Sequence, residues 1–271
     1  LDGGAQLLGR LQVPAGTRLG LGGSLVNDGV IDVGTAVAGV GSATGTSELR
    51  LFGDTLISGT GQIVMSDRQA TRNVFTGYNG FIGRAPVLTL GPGQTVSGAG
   101  MLGGSSTVSR TLDVFNQGSI LADGANGMEF AAANSFVNDG LVRVSTSLQV
   151  AGRNLVNQQR LEVLTGGAMY GTATQAAGHM TIDGSADTLQ LTGGLLDGTG
   201  SIGNLTQTGG VYAPGHSPGA MEIVGDYRLD GGQLVLEIDG DGPGQADQLL
   251  VGGGFGGAGA LLIDLSGYQG S

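Results

Sequence analysis

The chain has 271 residues, 39% of them hydrophobic, with 57 glycines, 6 prolines and no cysteine. That apolar content is too high for a disordered linker, the glycines lack the every-third-residue period of collagen, and the absent cysteines exclude disulfides, thiolate metal sites and cysteine nucleophiles. Twenty-two acidic residues against 11 arginines give a net charge of −11, which repels polyanions and excludes nucleic acid and anionic lipid surfaces as partners.

From the N-terminus, Leu1 stands in place of methionine, and no basic region leads into an apolar run of about 18 residues. The chain therefore reads as a piece of a longer polypeptide, attached to a membrane only through a segment outside it. Short alternating phrases then recur. SLVNDGVIDV holds Asn27, LISGTGQIVM holds Gly59 and Gly61, and TVSGAGMLGG holds Gly98 and Gly100. TLDVFNQGSIL holds Asn116, SFVNDGLVRV holds Asn138, NLVNQQRLEV holds Asn157, and LLDGTGSIGN holds Gly198 and Gly200.

Asn116 and Asn138 are 22 residues apart, Asn138 and Asn157 are 19, Gly61 and Gly100 are 39, and Gly100 and Gly200 are 100. All lie near multiples of about 20, the size of one unit in a coil-stacking protein. In QLVLEID, Leu234, Leu236 and Ile238 share one face of a strand; in ALLIDL, Leu261, Ile263 and Leu265 do the same. Glycine, asparagine and aspartate follow these strands and permit tight corners. The pattern predicts an all-β fold: a right-handed, single-stranded parallel β-helix (β-solenoid) of about 13 coils over residues 1–271. Asn27, Asn116, Asn138 and Asn157 are expected to form an amide ladder along the stack. Residues 66–83 break the phrase and gather Arg68, Arg72, Phe75, Tyr78 and Phe81, which predicts a side excursion between coils.

Chemistry-bearing residues are sparse. His179 and His216 are the two histidines, and His216, between Pro-Gly pairs, reads as a turn residue. Asp239, Asp241 and Asp247 cluster in EIDGDGPGQADQL, where a calcium site is conceivable, but the glycine-rich calcium nonapeptide is absent and DGDG is a common turn. A carbohydrate-cleaving β-helix needs two carboxylates across a groove and aromatic platforms for sugar rings. With tryptophan absent and aromatics at 4%, the reading is no enzyme, no cofactor and no metal.

Residues 205–265 carry the most specific signal. APGHSPG at 213–219 is followed by an alternating strand at 221–224, GDY at 225–227, and the pair Gly231 and Gly232. A strand at 234–238 and DQLLV at 247–251 complete the series. This order resembles the repeated passenger segment of bacterial autotransporters and filamentous-haemagglutinin-like surface proteins. The resemblance implies a right-handed β-helix exported across a Gram-negative envelope and displayed extracellularly as a stalk or adhesin. Its partners would be a host-cell or matrix surface, with the outer-membrane translocator outside this segment. A solenoid end also exposes a strand edge, so end-to-end self-association into a filament is the second expectation, and a carbohydrate-active enzyme or tailspike the third.

Overall fold

Strands of three to 14 residues alternate with corners and pair in parallel with their equivalents one coil away. The computed structural model describes residues 4–36, 39, 45–68, 73–78, 84–104, 112–151, 155–216 and 218–268. Twenty-eight strands and no helix occur among them. The chain divides into two units, Leu1–Leu155 and Val156–Ser271, both built as a parallel β-solenoid.

In the first unit the strand registers sort into three ladders. One runs from Ala5–Leu7 through Val87–Leu90 and Asp113–Asn116 to Phe136–Asn138. The next runs from Arg10–Pro14 through Val30–Thr35, Gln62–Met65, Thr95–Gly98 and Ser119–Ala122 to Leu141–Val144. The third holds Asn73–Gly77, Gly100–Leu102, Met128–Phe130 and Ser147–Val150. Each coil thus turns three corners. The second unit repeats the scheme, with Arg160–Val163, His179–Ile182 and Leu195–Gly198 opening one ladder and Ala260–Asp264 ending it.

The inward positions make the core. Ile31, Ile63, Val96, Ile120 and Val142 stack in register and are fully buried, as are Leu161, Met180, Leu196 and Tyr212 in the second unit. Period-two alternation places these residues inside while their neighbours face out. Burying one such side chain contributes about 1.5–3 kcal/mol before chain entropy is counted.

Coil length is not constant. The register partners Leu11, Ile31, Ile63, Val96, Ile120 and Val142 are separated by 20, 32, 33, 24 and 22 residues. In the second unit Leu161, Met180, Leu196, Tyr212, Leu234 and Leu261 are separated by 19, 16, 16, 22 and 27. The expected repeat of about 20 matches the mean spacing of the second unit only; most coils of the first unit are longer, while the inward residues keep their register. Within the expected excursion at 66–83, Asn73–Gly77 is an integral strand and Phe75 is a core residue. Arg72 and Phe81 lie outside the described residues.

Candidate functional site

The four asparagines of the repeated phrase are fully buried. Each precedes a corner, and the side chains of Asn27, Asn116 and Asn138 close theirs. Gly118 N donates to Asn116 Oδ1 at 3.1 Å, and Gly140 N donates to Asn138 Oδ1 at 3.3 Å. Asn116 Nδ2 donates to Asn138 Oδ1 at 2.7 Å, the direct ladder contact that the phrase predicts. The other two asparagines bond to glutamines instead. Asn157 Nδ2 donates to Gln175 Oε1 at 2.6 Å, and Asn27 Nδ2 donates to Gln94 Oε1 at 3.0 Å.

The Asn27 and Gln94 pair spans a coil that contributes no side chain between them. Gly61 occupies that place, where an added Cβ would lie 2.7 Å from Asn27 Nδ2 and 2.4 Å from Gly29 O. Gln94 Nε2 then donates to Asn27 O at 2.7 Å and to Ser58 O at 3.0 Å, which satisfies two carbonyls at once.

Aspartates perform a parallel task outside the core by accepting backbone N–H groups at corners of neighbouring coils. Asp28 takes Thr60 N at 3.0 Å, Asp54 takes Val87 N at 2.9 Å, and Asp183 takes Thr199 N at 3.1 Å. Asp226, from the GDY element, takes Gly254 N at 2.8 Å. The Thr60 bonds and Gln6 hold the Asp28 carboxyl below its usual value, and Arg84 together with Val87 N does the same for Asp54.

The three aspartates of the acidic cluster have separate partners. Asp247 accepts Gly219 N at 2.8 Å and Glu237 N at 2.9 Å, tying the APGHSPG corner to the last long strand. Asp241 Oδ1 accepts the Tyr268 hydroxyl at 2.9 Å. Asp239 Oδ1 is buried with no hydrogen-bond partner. No group of three or more His, Cys, Asp or Glu side chains suited to a metal ion occurs among the described residues.

Both histidines pair with aspartates one or two coils away. His179 Nε2 lies 2.7 Å from Asp197 Oδ2 and 3.2 Å from Thr181 Oγ1, while His216 Nε2 lies 2.7 Å from Asp183 Oδ1. Asp183 is already engaged by Thr199, so His216 joins a corner bond. The corner itself is tight: Gly215 has φ +101°, and a Cβ there would lie 2.6 Å from Gly219 Cα.

Sequence reasoning missed one ionic centre. Glu48, 7% exposed, bonds to Arg18, to Thr76 and, at 2.8 Å, to Arg50 Nε. Burial pushes the Glu48 carboxyl up, and the bonds from Thr76, Arg50 and Arg18 outweigh it, leaving the carboxyl below its usual value. The available signal was faint: an arginine two residues after a glutamate on one outward strand face, with the second arginine a coil earlier.

Two open cavities lie in the last coils of the second unit. One of about 490 Å³ is apolar, lined by residues including Leu229, Leu234, Leu236, Leu249, Val251 and Leu261. The other, about 420 Å³, is bordered by Asp226, Arg228, Asp230 and Phe255 among others. Neither is lined by Glu237, Asp239, Asp241 or Asp247.

Compared with known protein families, curated proteins and solved structures, the chain matches none of them.

Proposed function

We propose that the chain is a non-catalytic structural scaffold of a secreted or surface-exposed bacterial protein, of the autotransporter passenger kind, serving as stalk or adhesin. One observation carries the reading: carboxylates along both units accept backbone N–H groups of adjacent coils, as Asp28, Asp54, Asp183, Asp226 and Asp247 do. Acidity is thereby an instrument of coil closure. A glycoside-cleaving site instead needs two carboxylates facing each other across a groove, one of them free to move a proton. The elements that resemble the passenger segment also act as closures here. Asp226 and Asp247 clamp corners, and Tyr227 fills the core.

The test offers the purified chain a panel of neutral and uronate-containing polysaccharides and follows reducing ends and unsaturated products. The expected result is no release above buffer. Turnover of any member, abolished by Asp239→Asn, Asp241→Asn or Glu237→Gln, overturns the scaffold reading in favour of a carbohydrate-active enzyme.

A further inference from the structure

We propose that the outer face of the first unit around Phe52 and Tyr78 is a binding site for a carboxylate-bearing sugar, the ring stacking on the two aromatic side chains and the carboxylate taken by Arg50 and Arg18. The inference rests on the adhesin side of the scaffold reading and gives it a ligand class.

The site starts from alternation. On the strand Ser47–Ser58, Glu48, Arg50 and Phe52 stand two residues apart and share the outward face, while Leu49 and Leu51 fill the core. One coil earlier Arg18 and Gly20 pair in register with Glu48 and Arg50, and one coil later Thr76 pairs with Arg50. Tyr78 follows Thr76 on the same face, and its N–H donates to Leu51 O at 2.7 Å. Three adjoining coils thus supply two guanidinium groups and two rings.

The rings form a shelf. Phe52 and Tyr78 are 43% and 39% exposed, whereas the other described aromatic side chains of this unit are buried or half-buried. They meet edge to face with centroids 5.7 Å apart. A glycine makes the seat, since a Cβ added at Gly20 would lie 2.6 Å from Phe52 Cε2. The Phe52 ring therefore rests on the backbone of the register neighbour of Arg50, and its remaining surface is open.

The guanidinium groups are held in place with donors left over. Buried Glu48 accepts Arg18 and Arg50 through their Nε atoms and Thr76 through its hydroxyl. Neither arginine makes a hydrogen bond from its Nη atoms among the described residues. Two cations share this one carboxylate, and the neighbouring Asp54 is paired with Arg84. A chain of net charge −11 therefore carries a local excess of positive charge beside its aromatic shelf.

The chemistry of the occupant follows from these parts. A sugar ring has apolar C–H faces and polar edges, which suits an open aromatic surface with a few polar groups at its side. The planar fork of arginine matches a carboxylate with two parallel N–H bonds. A single carboxylate is drawn to the local positive charge, whereas a polyanion meets the repulsion of the whole chain.

Isothermal titration calorimetry of the intact chain tests the site with an oligosaccharide holding one glucuronate and with the same oligosaccharide holding glucose in its place. The glucuronate form is expected to bind about tenfold more tightly, and added salt to narrow the gap. Phe52→Leu keeps an apolar side chain over Gly20 but removes the ring, and is expected to weaken binding of both sugars about tenfold. Tyr78→Ala repeats the test at the second ring, and Arg50→Gln is expected to remove the preference for glucuronate. Tyr170→Ala, at a tyrosine of the second unit that is equally exposed, leaves binding unchanged. Each variant is first shown to be folded by circular dichroism and its urea midpoint. A chain that binds neither sugar, or both equally, overturns the proposal, and so does a Phe52→Leu or Arg50→Gln variant that binds like the wild type. Product release in the polysaccharide assay overturns the scaffold reading alone, so the two fail separately.

Discussion

Asn116 and Asn138, 22 residues apart in sequence, are joined through their buried amides at 2.7 Å along the stacking direction. Each side chain also closes its own corner, so losing Asn116 takes one hydrogen bond from the Asn138 amide and leaves the corner N–H of Gly118 without its acceptor. Asn116→Ala is expected to cost about 1–3 kcal/mol, and Asn138→Ala the same. Replacing both by alanine removes both members of the amide pair, leaves the two corner N–H groups unmet, and should cost less than the sum of the single changes. Urea midpoints of the four proteins, read as a double-mutant cycle, check this.

Two buried tyrosines give opposite expectations. The Tyr227 hydroxyl donates to Gln207 Oε1 at 2.6 Å, whereas the Tyr212 hydroxyl is buried with no hydrogen-bond partner. Tyr227→Phe should destabilise by about 1–2 kcal/mol, and Tyr212→Phe should be neutral or stabilising. Thermal unfolding of the two variants separates them.

Burial, with a smaller contribution from Tyr227, raises the Tyr212 phenol well above its ordinary value of 10.0, and burial raises Tyr227 likewise. A raised folded value means that this stability is present in full below 10.0 and is lost as pH climbs above it. Ultraviolet titration should show two tyrosines that ionise only as the chain unfolds.

The Glu48 carboxyl shifts the other way, lying below its ordinary 4.5 in the folded chain. Its contribution is present above pH 4.5 and fades as pH falls through the lower folded value. Glu48→Gln should therefore flatten the acid limb of the stability profile below that pH, with Arg18 and Arg50 left unpaired at neutral pH. Denaturant midpoints measured down the acid range give the slope.

Glycines divide by what surrounds them. Gly98 has φ +100°, and a Cβ there would lie 1.8 Å from Met65 O, so Gly98→Ala should cost about 4 kcal/mol or more through strain and collision. Gly53 meets nothing within 4 Å and has no positive φ, so Gly53→Ala should be neutral or stabilising by about 0.4–1 kcal/mol. Unfolding midpoints of the two variants test the contrast.

Alternation in phrases such as SILA and LVRV made the strands and their inward residues legible, because period two survives translation into a ladder rung by rung. Asn116 and Asn138 were legible for the same reason. Gln94, Gln175 and Gln207 were not, since they stand outside the repeated phrase, where a longer amide makes the bonds that an asparagine makes elsewhere. The cluster of Asp239, Asp241 and Asp247 looked like a site because sequence proximity hides direction: one carboxylate faces Gly219, one faces Tyr268, and one is buried without a partner. Glu48 escaped because two of its three partners, Arg18 and Thr76, come from coils 30 residues before it and 28 after it.

The unequal coils have an evolutionary consequence. A coil can lengthen from 16 residues to 33 while Ile31, Ile63 and Val96 keep their places on successive rungs. Insertions and deletions at a corner are therefore invisible to the core, and selection can rewrite the outer surface one loop at a time. Such a chain can vary its outer corners while the inherited framework beneath stays the same.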